Sequence, residues 1–429
     1  MKILSIETSC DETALSVLEA EGNFGSENNP AKFKILANNL ISQIDLHKQY
    51  GGVFPALAKR EHSKNLIPLL AKSLAEAKLS NPVTKSPPLS NRVTKWVEIE
   101  KILEREPELL KLFLEYIPTI ETPPIDVITV TQGPGLEPAL WVGVNFAKAL
   151  SLVWNKPLIP INHMEGHLLA SLVSQKSKVK SQKIEGIKFP AIGLLISGGH
   201  TELILIENWM QYKKIGQTLD DAVGEAFDKA ARMMNLSYPG GPEISKLAQI
   251  AREKNEVVQT NPEIKLPRPM LNTDDFNFSF SGLKTAVLYL VKNLKEKNNW
   301  EELPLEVKQQ ISQEFEDVVV EVLLKKTQRA IETFGAQTLI LGGGVVANSQ
   351  IRQAFQSLGK TSGGSTSRNL GRSDFSKLRL KVLMPEIEFS TDNAIMIGIA
   401  GYFQYLKLKG QLQTAIDLKE LKVDGNLGL

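Results

Sequence analysis

The sequence predicts an α/β protein built from two halves of similar plan. Two segments, KILSIETSCDETALSVL at 2–18 and PAIGLLISGGHTELILI at 190–206, each read as strand, tight polar or glycine-rich turn, strand. Two further apolar runs, DVITVTQGPG at 126–135 and QTLILGGG at 337–344, end in glycines as buried strands do before a turn. Between the strands lie stretches such as 54–77 and 222–234 whose apolar residues recur at helical spacing. A chain of 429 residues is long enough for two such cores.

Composition narrows the class. Hydrophobic residues make up 42% and charged residues 23%, ordinary for a globular protein. Apolar runs fall short of the ~20 residues that span a bilayer. The opening MKILSIETSC lacks the apolar core and small-residue cleavage site of a signal peptide and reads as a strand. The single cysteine, Cys10, cannot form an internal disulfide, so a cytoplasmic setting is expected. A formal charge of +2 does not by itself point to nucleic acid, so any RNA contact would come from local patches.

Taken in order, the first hairpin is followed by KFKILANNLISQI as a third strand and by a helix over about 54–77. From 79 to about 95 the composition turns to Pro, Ser, Thr and Asn, the mark of a loop. A charged amphipathic helix is expected over about 96–116, ended by Pro118, Pro123 and Pro124. After the strand at 126–135 a helix runs to about 153. These signals give a first lobe over 1–153 with an insertion at about 80–124, a motif helix and basic linker over 154–188, and a second lobe over 189–429 with an inserted loop at about 359–377. The linker segment 176–188 carries five lysines, and 359–377 is rich in Ser, Gly and basic residues. Both read as solvated loops or as patches that touch a polyanion. The duplicated plan resembles the two-lobed actin-like, sugar-kinase-like and Hsp70-like ATPase folds, in which the two hairpin turns face a nucleotide cleft.

The segment NHMEGH at 162–167 holds two of the five histidines. His163 and His167 are four residues apart, so on a helix they project from one face and can grip one metal ion. Packed or surface histidines are the plainer reading. Asp392, in STDNA near the start of a final apolar helix, is either an N-cap or a third ligand. Leu195, Ile196, Ser197, Gly198, Gly199 and His200 form the second hairpin turn, where glycines let backbone N–H groups approach an anion. GGGVVAN at 342–348 resembles a helix N-terminus meeting a nucleotide, or is a plain strand-to-helix turn. The run DDAVGEAFDK at 220–229 places Asp221, Glu225 and Asp228 on one helical face, which is a solvated face or a site for a cation or ribose hydroxyls.

Read together, these segments identify the chain as resembling the TsaD family, the tRNA threonylcarbamoyladenosine transferases. Ten motifs match in family order: IETSCDET, HKQYGGVFP, TQGPGL, NHMEGHLLA, LLISGGHTEL, DDAVGEAFDKAA, YPGGP, FNFSFSGLKTAV, GGGVVAN and FSTDNAIMIG. TSCDET resembles the bacterial branch. The resemblance implies transfer of a threonylcarbamoyl group from threonylcarbamoyl-adenylate to the exocyclic amine of adenosine 37 in tRNAs that read codons starting with A. It implies His163, His167 and Asp392 as ligands of one divalent metal ion, with iron the first expectation and zinc the second. It implies adenylate binding by Leu195 to Gly199 with His200 alongside, and by Asp228, Gly241 and Asn348. Asp11 and Glu12 match acidic residues near the reacting centre. The implied partners are tRNA, a paralogous TsaB-type subunit and a small TsaE-type ATPase, with no membrane.

The sequence also departs from the family pattern. Ala56 stands where Glu is common and Lys59 where Ser is common, while His62 remains. Glu137-Pro138 occupies a place where small residues are frequent, Ser245 stands where many members carry Asp and is given no role, and 80–124 and 359–377 are longer than usual. A metal-dependent peptidase is the first competing reading, but zincins need H-E-x-x-H with Glu directly after the first His. Here Glu165 comes two residues after His163, and Gly166 interrupts the pattern. A sugar kinase or ATPase of the same fold is the second, and no sugar site or base near a γ-phosphate is evident.

Overall fold

A computed structural model of the chain describes residues 1–429 apart from 27–28, 84–91, 175–180, 185, 256–262, 361–379 and 409–417. In chain order the elements of the first part are β1 (Lys2–Glu7), β2 (Glu12–Glu21), β3 (Lys32–Ser42), α1 (Ile44–Lys48), α2 (Pro55–Glu76), α3 (Arg92–Ile102), α4 (Pro107–Tyr116), β4 (Val127–Gly133), α5 (Glu137–Trp154), β5 (Leu158–Asn162), α6 (His163–Ala170), β6 (Val173–Ser174) and β7 (Ser181–Ile184). There follow β8 (Ala191–Ile196), β9 (Thr201–Asn208), β10 (Gln211–Gln217), α7 (Val223–Met233), α8 (Gly240–Asn255), α9 (Ser281–Asn298), α10 (Leu305–Phe334), β11 (Thr338–Gly342), α11 (Ser349–Lys360), β12 (Lys381–Leu383) and α12 (Ala394–Lys407).

The chain divides into two compact units, residues 1–186 with 392–429, and residues 187–391. This differs from the boundaries expected from sequence. The segment 154–186 is no linker but part of the first unit, and the last helix returns to that unit instead of completing the second. The cause is packing. Gly398 and Gly401 of α12 lie so close to the first sheet that a Cβ would come within 2.4 Å of Leu18 Cδ1 and 2.3 Å of Thr129 Cγ2.

In the first unit the sheet order is β5-β4-β1-β2-β3-β7-β6. β1 and β2 pair antiparallel, β2 and β3 pair antiparallel, and β4 and β5 run parallel to β1. Side chains alternate across β1. Leu4 and Ile6 join the cluster that holds Leu66 and Leu70 of α2 and Val142, Phe146 and Leu150 of α5. Ser5 points the other way, toward Gly398 of α12. A sheet covered on both faces explains why β1 reads as a nearly continuous apolar run.

The second unit repeats the arrangement as β10-β9-β8-β11-β12. β8, β9 and β10 form the antiparallel meander and β11 and β12 run parallel to β8, position for position like β1 to β5. Its core gathers Phe227 of α7, Phe278, Phe280 and Phe315 of α10, and the Phe227 and Phe315 rings meet edge to face at 5.1 Å between centroids. The duplicated mixed-sheet plan expected from sequence is therefore present in the topology of each unit.

Three local expectations shift. The helix expected over 96–116 is two helices, because Pro107 has no N–H to continue a ladder and instead opens α4 at its first position. β10 is an additional strand with only one fully buried residue in QYKKIGQ, too polar to stand out as apolar. Asp221 precedes α7 and so does not share a helical face with Glu225 and Asp228. Nearly all of the loop at 359–377, and about half of the lysine-rich stretch at 176–188, lies outside the described residues.

Candidate functional site

The first unit holds a compact histidine and carboxylate cluster. α6 starts at the end of β5, and Asn162 caps it, its side-chain oxygen accepting from the N–H groups of Met164 at 2.8 Å and Glu165 at 3.2 Å. The cap fixes the first turn, so His163 and His167 stack one turn apart with ring centroids 4.7 Å from each other. Asp392 arrives from the residues just before α12. The alternative reading of Asp392 as the N-cap does not hold, since Asn393 takes that role by accepting from Met396 N–H at 3.0 Å. Asp392 Oδ1 is instead 3.0 Å from His167 Nε2 and 3.3 Å from His163 Nε2.

One ligand atom from each of His163, His167 and Asp392 can be chosen so that all lie within 4.8 Å of one another. Donors ~2.1 Å from a shared ion are separated by roughly 3–3.5 Å, so these residues fit a metal without moving far. Both histidines are almost fully buried, at 6% and 2% exposure, while the Asp392 side chain is partly exposed. Burial opposes charge on Asp392, but His163 and His167 beside it hold its carboxyl far below the usual range. For His163 burial is outweighed by Asp392 and Glu7, which raise its pKa, whereas for His167 burial and the His163 charge prevail and lower it.

Glu7 is a supporting residue that motif reading missed. It is fully buried at the end of β1, and it accepts from Ser9 N–H at 2.5 Å and from Thr131 Oγ1 at 2.5 Å. Its Oε2 also lies 3.1 Å from His163 Nδ1, so it orients the ring with Nε2 toward Asp392. The available signal was a carboxylate closing an otherwise apolar strand. Glu165 faces elsewhere: it is buried and accepts from Gln404 Nε2 of α12 at 2.8 Å. That placement removes the residue a peptidase would need beside a metal-bound water.

Asp11 ends the first hairpin turn and Glu12 opens β2. Burial, then the charges of Asp11 and Asp392, push the Glu12 carboxyl well above the usual carboxylate range. Glu12 shares a hydrogen bond with Asp11 and lies near the charge of Asp392. Beneath the turn, His62 of α2 is held neutral. Its Nε2 donates to Cys10 O at 3.0 Å and its Nδ1 accepts from Thr13 Oγ1 at 2.7 Å.

In the second unit the Ser197–His200 turn is closed by Ser197 N–H donating to His200 O at 2.8 Å. Cβ atoms built at Gly198 and Gly199 would meet nothing within 4 Å, so the turn's backbone is open on one side. The first turn of α7 abuts it, with Gly224 so close that a Cβ would lie 2.7 Å from Ser197 O. Gly343 has φ +95° and would place a Cβ 2.4 Å from Ile196 O, so glycine is required there for β11 to end beside β8. The turn at Leu195–His200, the α7 N-terminus and the end of β11 thus converge.

Two other expected contacts are partly occupied. Asp228 accepts from Gly240 N–H at 2.7 Å and also from Gly241 N–H, and burial raises its pKa. Asn348 caps α11 by accepting from Ile351 N–H at 3.0 Å, while its Nδ2 donates to Glu316 Oε1 at 2.6 Å. Of the carboxylates expected to form one face, Asp221 and Glu225 are paired with Lys229 at 2.7 and 2.6 Å.

Comparison with known proteins gives consistent matches. The family model described as "TsaD: tRNA N6-adenosine threonylcarbamoyltransferase" matches residues 34–84 and 118–399. The intervening gap falls within the insertion. A tRNA N6-adenosine threonylcarbamoyltransferase of Thermosipho africanus is 39% identical over 99% of this chain and 100% of its own length. One from Staphylococcus epidermidis is 36% identical over 98% of each. Among solved structures, a ROK hexokinase from Thermus thermophilus aligns with a TM-score of 0.39 and 11% identity over 95% of this chain and 100% of that one.

Proposed function

This chain belongs to the TsaD family, the tRNA N6-adenosine threonylcarbamoyltransferases, and we propose from that premise a role for each residue of its sites. The chain is an acyltransferase that modifies tRNA. It moves a threonylcarbamoyl group from threonylcarbamoyl-AMP to the N6 amine of adenosine 37 in tRNAs that read codons beginning with A. A bond forms between N6 and the carbamoyl carbon, the bond from that carbon to the phosphate oxygen breaks, and AMP and a proton leave. The donor is a mixed anhydride and already activated, so the protein's task is chiefly to position it against a weak nucleophile.

The observation that carries this reading is the buried cluster of His163, His167 and Asp392. These residues would hold one divalent ion, iron by resemblance and zinc as the second choice. When bound, such an ion supplies Lewis-acid polarisation of donor oxygens and offsets charge on the departing phosphate. Glu7 keeps His163 in the tautomer that offers Nε2. The N–H groups of the Ser197–Gly199 turn and the α7 N-terminus favour phosphate oxygens. Asp228 accepts from ribose hydroxyls through the oxygen capacity its backbone contacts leave free. Gly241 lets the nucleotide approach, and Asn348 exchanges its Glu316 contact for one to the nucleotide. Asp11 takes the proton from the attacking amine, directly or through the shared hydrogen bond with Glu12.

The family resemblance supports a heteromeric setting with a TsaB-type subunit and a TsaE-type ATPase, and a cytoplasmic location fits a tRNA substrate. No helix among the described residues is long and apolar enough to cross a membrane. The test is a transfer assay with purified adenylate donor and unmodified tRNA. Wild type should transfer and bind metal, and His163→Ala should lose both. Equal turnover by His163→Ala would overturn the metal assignment, and chelator-sensitive cleavage of a protein substrate would revive the peptidase reading.

A further inference from the structure

The segment Leu418–Leu429 crosses the end of the first sheet at the point where the metal helix begins. We propose that this strap positions the metal centre by holding the Asn162 side chain, an inference that rests on the metal role of His163, His167 and Asp392.

Asn162 bridges two things at once. Its oxygen caps α6 through the N–H groups of Met164 and Glu165, and its Nδ2 donates to Gly428 O at 3.0 Å and Leu427 O at 3.4 Å. A carboxamide that serves the helix with its oxygen turns its NH2 the opposite way, where it can donate to acceptors. The strap carbonyls are those acceptors, so they set which way the amide faces.

The strap is itself firmly held. Leu421 is 4% exposed, and its carbonyl accepts from Lys148 Nζ of α5 at 2.7 Å. Gln132 Nε2 donates to Lys422 O at 2.7 Å, Asp424 N–H donates to Gln132 O at 3.1 Å, and Gly135 N–H donates to Gly425 O at 3.2 Å. A turn follows, in which Asn426 N–H donates to Asp424 Oδ1 at 2.9 Å and Leu427 N–H to Asp424 O at 3.3 Å, and this turn presents the two carbonyls to Asn162. Gly133 pairs with Asn162 across β4 and β5, and a Cβ on it would fall 1.8 Å from Asp424 O. The sheet edge beside the metal helix is therefore shaped to receive the strap.

The consequence for metal binding is geometric. α6 has only 8 residues, so its first turn depends on the cap. His163 is the first residue of that turn, while its partner Asp392 comes from a different element, ahead of α12. A first turn that frays or rotates separates His163 Nε2 from Asp392 while leaving the rest of the unit folded. A strap that merely covered the sheet end would change stability without changing metal affinity.

The experiment measures Zn²⁺ affinity of the full chain by competition with a chromogenic chelator, for wild type, Asn162→Asp, a variant lacking 426–429, and the two changes combined. Asn162→Asp keeps an oxygen for the helix but turns a second oxygen on the strap carbonyls. Each single change should weaken Zn²⁺ binding about tenfold, as loss of an outer contact to a metal ligand does. The combined variant should bind no more weakly than either alone, because both changes act through one contact. Thermal unfolding should show that each variant is folded. Unchanged affinity in both single variants, or losses that multiply in the combined one, would overturn the proposal. A wild-type chain that takes up no Zn²⁺ would overturn the metal reading and this inference with it.

Discussion

Lowering the pH should destabilise the first unit through one buried histidine, His62. It is fully buried, donates from Nε2 to Cys10 O at 3.0 Å, and accepts at Nδ1 from Thr13 Oγ1 at 2.7 Å. Burial, only partly opposed by the Cys10 carbonyl and by Glu7 and Asp11, lowers its pKa from 6.5 to about 4. The folded state therefore resists the proton that the unfolded chain accepts. This contribution to stability is fully present above the unfolded value and is lost as pH falls toward the folded one. The full linkage amounts to about 3 kcal/mol, of which about 2 kcal/mol should be lost between about pH 7.5 and about pH 5. The assay is urea unfolding at matched salt across that range, comparing wild type with His62→Gln, which cannot titrate. The wild-type midpoint should fall more steeply with acid than the variant's, the difference growing mostly between about pH 6.5 and about pH 4.5. Parallel pH profiles for the two proteins would refute the reasoning, since other groups titrate in both.

Other substitutions test other parts of the molecule. Glu12→Gln should slow transfer by about a hundredfold while adenylate binding is kept; unchanged turnover would remove Glu12 from the reaction. Asp228→Asn should weaken adenylate binding by roughly tenfold or more in calorimetry, with metal content unaltered, as expected when a charged acceptor is lost. Gly401→Val puts a side chain where even a Cβ would lie 2.3 Å from Thr129 Cγ2. It should cost about 1–3 kcal/mol in unfolding experiments and weaken metal binding, because α12 must lift from the sheet and move Asp392. A melting temperature equal to wild type would contradict that packing account.

What could be read from the sequence was what local geometry encodes. The two hairpins, their turns and the helices at 55–76 and 223–233 follow from periods of 2 and 3.6 that each segment carries alone. The pairing of His163 with His167 follows from the same period, and family motifs then supplied Asp392, Asp228, Gly241 and Asn348 as companions. The break before Pro107 escaped because a single amphipathic pattern runs across it, and β10 escaped because an edge strand facing water has little apolar signature. The membership of Asp392 in the first unit could not be read locally. It stands 225 residues after His167 and reaches it only because Gly398 and Gly401 let α12 lie against β1, β2 and β4. Glu7 became a support for His163 in the same way, through the parallel pairing that sets β1 beside β4 and the end of β5. Sequence alone thus determined the elements and the residue types of the site. Tertiary packing decided which of them meet, because spacing along the chain fixes only where a side chain points on its own element, and contact between elements depends on how closely their surfaces fit.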